Sequence, residues 1–185
     1  MKNATKIVGL IGMLALPVAA QAQTTRSFSV GVSGGLSLPV GDLGDAVESG
    51  YNVTGHLYYI PTTMKLGFRG DVGYDSWKGK GSGNGIDANS SYLSITANGL
   101  YNFGESTASI RPYLLFGGGW YRNKSSSEIL GVESSATSSD AGIQGGLGLT
   151  FKLSGFNTFL EAKYVNVFFE DNNANFVPIT FGVRF

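Results

Sequence analysis

The last ten residues, Phe176-Val-Pro-Ile-Thr-Phe-Gly-Val-Arg-Phe185, constrain the fold more than any other stretch of the chain. Val177, Ile179, Phe181, Val183 and Phe185 share one face at period two, and Pro178, Thr180, Gly182 and Arg184 share the other. One face is apolar and the other is not. A terminal strand of this kind left as an open edge would invite aggregation, so the first strand is its expected partner, and the pairing closes a barrel.

The opposite end has a different character. Lys2 and Lys6 precede an apolar run from Ile7 to Leu16, followed by Pro17-Val-Ala-Ala-Gln-Ala22, whose Ala20 and Ala22 suit an export peptidase. The run is short of the roughly 20 residues that a spanning helix needs. Residues 1–22 are therefore expected to be a cleaved signal peptide, and residues 23–185 a single β-barrel domain. The chain has no cysteine, which excludes a lipid-attachment cysteine, a disulfide and a thiolate metal site. Losing Lys2 and Lys6 from a balanced 13 against 13 leaves 11 basic and 13 acidic side chains, a net charge near −2. Nucleic acid is not an expected partner.

Between these ends the alternation recurs. Phe28 to Leu38, Tyr51 to Tyr59, Leu66 to Asp75, Leu93 to Phe103, Ile110 to Arg122, Ile143 to Leu153, Leu160 to Phe168 and the terminal segment read as eight strands. In the fifth, Pro112, Leu114, Phe116 and Trp120 compete with Tyr113, Leu115 and Tyr121 for the apolar face, and the first set is preferred. The connections run long, short, long, short, long, short, long. Pro39 to Gly50, Lys78 to Ser91, Asn123 to Asp140 and Glu170 to Asn175 are the long ones. The expected fold is all-β, an eight-stranded antiparallel up-and-down transmembrane barrel, because such barrels have short periplasmic turns and longer surface loops.

Alternation alone does not separate a soluble barrel with a greasy interior from a membrane barrel with a greasy exterior, since the two patterns are inverses. Three further features favour the membrane. Charges sit well inside strands on the polar face, at Arg69, Asp71, Glu161 and Lys163, where they could pair in a closed lumen. Aromatics gather at both strand ends: Phe28, Tyr59, Tyr101, Phe103, Phe151 and Phe185 at one, and Tyr51, Tyr74, Trp77, Tyr92, Trp120, Phe168 and Phe176 at the other. Two girdles about 25 Å apart suit the two interfaces of a bilayer. The third feature is the aromatic at which the final strand stops.

That ending, together with Phe159-Leu-Glu-Ala-Lys-Tyr164 in the seventh strand and Arg111-Pro-Tyr-Leu-Leu-Phe-Gly117 in the fifth, resembles the small outer-membrane β-barrel family of the OmpA/OmpX type over essentially the whole mature chain. The resemblance implies a bacterial outer-membrane location, and it implies that Phe185 is read by the barrel-assembly machinery. No peptidoglycan-binding domain follows the barrel, so a cell-wall tether is not expected.

An eight-stranded barrel is just filled by its own side chains, so the interior is expected to be a polar core rather than a conduit. An enclosed carboxylate needs a cationic partner. Glu161 is therefore expected at the centre of a lumenal ion network with Lys152, Lys163, Arg69 or Arg184, lying opposite Thr150 and diagonal to Lys152 across the tight turn. His56, the single histidine, also faces the lumen. A hydrolytic role beside Glu161 or a serine places it badly for acyl chains outside the barrel.

Asp42, Asp45 and Glu48 lack the spacing of a calcium loop. Gly117-Gly-Gly119 has no following helix and is no phosphate cradle, so it is expected to ease strand curvature or crowding. The outer segments 42–48, 78–87, 124–140 and 170–171 carry −3, +1, −2 and −2, or −6 together. The sequence thus points to an outer-membrane barrel with a structural or surface-interaction role, without catalysis or cofactor. Its expected partners are outer-membrane lipid, lipopolysaccharide, the assembly machinery and a surface ligand at the loops. A lipid A or phospholipid acyl hydrolase is the alternative, with a narrow channel or hydrophobic-ligand carrier behind it.

Overall fold

The computed structural model describes residues 27–61, 64–80, 86–105, 107–129, 132–169 and 173–185. The expected signal peptide, residues 1–22, lies outside the described residues. Eight strands follow in order: β1 Phe28–Val40, β2 Gly50–Tyr59, β3 Leu66–Lys78, β4 Ile86–Asn102, β5 Ile110–Ile129, β6 Val132–Lys152, β7 Asn157–Phe168 and β8 Asn173–Arg184. Each pairs antiparallel with its sequence neighbour, and β8 returns to β1 to close the barrel. At that seam Gly34 stands opposite Phe181 and Leu36 opposite Ile179. Val30 and Phe185 exchange both backbone hydrogen bonds, at 3.2 and 2.8 Å.

The apolar set points out. Ile179 and Phe181 are 40% and 56% exposed, whereas Pro178, Thr180 and Gly182 between them are buried. Only hydrocarbon makes that arrangement favourable over a whole sheet. β5 follows the preferred assignment, with Leu114, Phe116 and Trp120 outside and Tyr113, Leu115 and Tyr121 inside.

Three expectations are corrected. First, Trp77, Tyr92 and Phe176 are not girdle residues. Trp77 is 1% exposed where Trp120 is 68% exposed. All three rings pack inside the outer end of the lumen, with Trp77 at 5.5 Å from Tyr92 and 5.1 Å from Phe176. Their strand positions carry the inward parity, and proximity to a strand end does not override it. Tyr51, Tyr74, Trp120 and Phe168 remain exposed as the outer girdle.

Second, the stretches read as the long loops 78–91 and 123–140 are largely strand. β4 pairs with β5 up to Ile86 opposite Ile129, and β5 with β6 up to Ile129 opposite Val132. Their Ser, Thr and Asn residues have no apolar period to reveal them. Backbone pairing above the membrane needs none.

Third, Glu161 stands opposite Gly148, and Thr150 opposite Phe159. The β6–β7 turn closes on Lys152 and Asn157, with Gly155 at φ 90°, so the register is two residues from the expected one. A two-residue shift keeps every side chain on its face. It moves Lys152 away from Glu161.

Over the outer mouth, α1 (Asp42–Ala46) turns inward from Gly41, whose φ of 61° suits glycine. It seats Val47 against the Trp77–Tyr92–Phe176 cluster. Backbone bonds from Glu48 to Lys78 (2.8 Å) and from Lys80 to Ala46 (2.9 Å) hold it to the end of β3. The lumen is thus layered: aromatic and aliphatic at the outer end, polar in the middle, and lined by Tyr58, Leu100, Tyr113 and Leu115 below.

Candidate functional site

Arg69 and Asp71 lie two apart on β3 and so share the inward face. His56 is directly opposite Asp71 on β2. Arg69 extends across the lumen to β7, where Nη1 donates to Glu161 Oε2 at 2.6 Å and Nη2 to Oε1 at 2.9 Å. The pairing is bidentate, the geometry for which a planar guanidinium is suited. Arg69 Nε also donates to the Asp71 carboxylate, 2.9 Å from its nearer oxygen. Asn98 Nδ2 donates to Asp71 Oδ2 at 3.0 Å.

Tyr113 reaches the same carboxylate because of a glycine. Its neighbour on β6 is Gly148, whose other neighbour is Glu161. A Cβ on Gly148 would collide with the Tyr113 ring, so only glycine lets the ring lie over β6. From there the hydroxyl donates to Glu161 Oε2 at 2.6 Å. Phe159 lies over Gly182 in the same way. At the far end, His56 Nδ1 is 2.7 Å from Asp71 Oδ1, and Ser33 Oγ is 2.9 Å from His56 Nε2. One continuous chain of hydrogen bonds therefore crosses the lumen from Ser33 on β1 to Tyr113 on β5.

A family model described as outer membrane protein beta-barrel domain matches residues 8–185. This chain belongs to that family. No curated protein matches the sequence. Among solved structures, this outer-membrane barrel resembles Neisserial surface protein A (NspA) with a TM-score of 0.62 at 19% identity, over 88% of this chain and 98% of that one. It resembles Ail, the attachment invasion locus protein of Yersinia pestis, at 0.56 and 19%, over 85% and 97%. A second structure of Ail, in complex with the heparin analogue sucrose octasulfate, gives 0.53 at 19%, over 85% and 97%. The N-terminal β-barrel domain of Pseudomonas aeruginosa OprF gives 0.52 at 16%, over 86% and 98%. These likenesses are of fold. The protein resides in the bacterial outer membrane.

Of the residues singled out in the sequence, the barrel brings Arg69 and Glu161 into contact. Lys163 is buried on the same inward face as Glu161, yet among the described residues it makes no ion pair. Arg184 instead lays its guanidinium over the Tyr58 ring, 5.2 Å from the centroid. Lys152 is exposed beside the β6–β7 turn. Phe185 is exposed on the outer face. Asp71, His56, Ser33 and Tyr113 complete the chain of contacts. The inward parity shared by Asp71 and Arg69 is the sequence signal that could have placed Asp71 there.

Ser33, His56 and Asp71 have the order and spacing of an acyl-transfer triad. Their surroundings do not suit one. They are 4%, 5% and 3% exposed. The imidazole is walled by Phe159 and Tyr58, at 5.5 and 5.7 Å. Asp71 also holds Arg69 and Asn98. An acyl chain in the bilayer lies on the other side of the sheet. Among the described residues no three His, Cys, Asp or Glu side chains gather to hold a metal. What this arrangement does chemically is cross-link six strands through satisfied buried polar groups.

Proposed function

We propose that this barrel is a structural and surface-interaction protein of the outer membrane that carries out no reaction of its own. The observation that carries the reading is a sheet standing beyond the outer girdle. β6 pairs with β7 only from Gly142 inward, whereas β5 and β6 stay paired out to Ile129 and Val132. Beyond Trp120, β5 runs nine more residues to Ile129, roughly 30 Å of strand. The described faces are polar and exposed, with Lys124, Ser125 and residues 135–139 open to solvent. The β6 edge beyond Gly142 has no neighbouring strand among the described residues. An open polar edge and polar faces give a partner protein backbone and side-chain hydrogen bonds.

Charge narrows the partner. The outer segments sum to −6, and Arg122 just below them offsets one unit. A polysulfated chain such as the heparin analogue seen with Ail is repelled by that balance, so a neutral or basic protein surface is favoured. Lipopolysaccharide and outer-membrane lipid surround the girdles. Residues 1–22 direct export as a signal peptide, and the assembly machinery reads Phe185.

The hydrolase alternative draws on the Ser33–His56–Asp71 alignment, and its burial argues against it. A channel or hydrophobic-ligand carrier has to open a lumen filled by Trp77, Tyr92 and Phe176 above and by Arg69 and Glu161 below. Cells displaying the wild type are compared with cells in which residues 124–138 are replaced by Asn-Gly, by adsorption of labelled serum proteins. Loss of adsorption at equal surface amount is expected. Equal adsorption by both overturns the surface-interaction reading. Phospholipid hydrolysis above the level of empty liposomes, abolished by Ser33→Ala, overturns the non-catalytic one.

A further inference from the structure

The end of the barrel away from the protruding sheet has charges that the lumenal chain does not use. Arg111 opens β5, Lys152 closes β6, Arg184 closes β8 and Lys65 precedes β3. By strand parity three belong to the inward set, Arg111 with Tyr113, Lys152 with Gln144 and Arg184 with Thr180, and Lys65, just before β3, accepts the backbone N–H of the buried Asn102 at 2.8 Å and so continues the ladder opposite it. Four of the eight strands thus place a cation at one rim. Among the described residues no acidic residue shares the inward parity at that level. Glu161 is one layer deeper and already holds Arg69 and Tyr113. Among the described residues none of the four makes an ion pair, and neither Glu105 nor the Phe185 carboxylate reaches them.

Two of these groups are also partly withdrawn from water. Arg111 Nε is a buried donor without a partner. Arg184 is covered on one side by Tyr58. The ladder brings the cations to one level: Arg111 is opposite Thr150, two residues along β6 from Lys152, and Lys152 and Arg184 both stand opposite Asn157. Like charges converging on a half-buried mouth are unfavourable unless an anion sits between them, and a buried N–H without an acceptor is unfavourable as well. One multidentate oxyanion resolves both.

We propose that the periplasmic mouth of the lumen is a phosphate-binding site, in which Arg111 and Arg184 grip the ligand and Lys65 and Lys152 draw it in. Arginine forks match the oxygens of a phosphate group, and exposed lysines at a rim act as steering charges. Arg184 lies over the buried Tyr58 ring and Arg111 Nε is buried, so the gripping pair is on the lumenal side of the sheet rather than on the face that meets lipid headgroups. A phosphorylated periplasmic solute is therefore the favoured source.

The full-length mature protein, folded in an uncharged detergent, is titrated calorimetrically with inorganic pyrophosphate. Wild type is expected to bind, and Arg111→Gln/Arg184→Gln to bind at least about tenfold more weakly. Lys65→Gln/Lys152→Gln, at exposed positions that leave the barrel intact, should weaken binding by a smaller factor and flatten its salt dependence. Folding of each variant is checked by the mobility difference between heated and unheated samples. The titration is repeated in phosphatidylcholine and in phosphatidylglycerol vesicles. Binding that persists in both assigns the site to a soluble phosphate. Binding lost only in phosphatidylglycerol assigns it to a lipid headgroup and overturns the soluble source. No binding by the wild type, or equal binding by the folded arginine variant, overturns the site.

Discussion

Arg69 on β3 and Glu161 on β7 meet fork to fork in the middle of the lumen, with both guanidinium NH2 groups on the carboxylate at 2.6 and 2.9 Å. Both side chains are almost completely enclosed. The strands that carry them are not neighbours, so the pair ties opposite walls of the barrel. Desolvating two ions offsets much of their attraction, and the pair need not add net stability over a well-packed apolar substitute. Breaking it from one side is another matter.

Glu161→Gln leaves Arg69 enclosed with half its acceptors and Tyr113 facing an amide. We expect a loss of about 3–5 kcal/mol in urea unfolding from detergent micelles. Arg69→Met/Glu161→Leu removes both of these charges but leaves Asp71 without its guanidinium, and should recover part of that loss. If Glu161→Gln unfolds at the same urea concentration as wild type, the contact contributes nothing. If the double variant is the less stable of the two, the cost lies elsewhere.

The two tryptophans report the inversion of the sheet independently. Trp120 is on the lipid face and Trp77 is in the outer lumen, its Nε1 donating to the Ser37 carbonyl at 3.0 Å. In vesicles with brominated acyl chains, the Trp77→Phe variant, which keeps Trp120, should be strongly quenched, and Trp120→Phe should be nearly unaffected. Truncation should separate them too. Trp77→Ala opens a void among Tyr92, Phe176 and Val47 and should cost about 3–5 kcal/mol. Equal quenching of both residues is incompatible with Trp77 inside.

Glycines on β3 and β5 make opposite predictions. A Cβ at Gly119 would fall on the Ile95 carbonyl of β4, and one at Gly117 on that of Ala97, so these two glycines let β5 approach β4 more closely than any side chain permits. A Cβ at Gly70 meets nothing within 4 Å. Gly119→Ala should therefore cost about 1–3 kcal/mol as overpacking, while Gly70→Ala stays within about 0.5 kcal/mol of wild type. Refolding yield and urea midpoint of the two variants, measured side by side, test the difference. Similar values for both contradict the close approach.

These cases show what a period-two pattern reveals and what it hides. The faces of β1, β3, β7 and β8 were legible because each alternates aliphatic against polar side chains over the bilayer. Trp77, Tyr92 and Phe176 carried the same parity signal, and their positions near strand ends pointed the other way. The upper parts of β4, β5 and β6 left no trace, since Ser, Thr and Asn above the membrane have no greasy face to display. That Glu161 needs a cation follows from enclosure alone. Which cation it meets depends on how far the strands are staggered around the barrel, and no local pattern encodes that. Tyr113 reaches Glu161 only through the gap left by Gly148, a relation across three strands.

Phe185 separates folding from delivery. Its ring is 62% exposed on the outer face, and its backbone exchanges two hydrogen bonds with Val30 at the β1–β8 seam. Deleting it removes one rung of a ladder that otherwise runs from Gly31 opposite Arg184 to Val40 opposite Asn175. That loss is small, about 1–2 kcal/mol for two peripheral hydrogen bonds, so refolding in detergent should remain efficient. In cells the assembly role proposed for Phe185 predicts a different outcome, because detergent refolding does not depend on that machinery. The amount of heat-modifiable barrel in outer-membrane fractions should fall severalfold. Phe185→Tyr, which keeps an aromatic ring at the terminus, should restore it. An unchanged membrane amount on deletion removes the recognition role, and an equal failure to refold in detergent assigns the residue to stability instead.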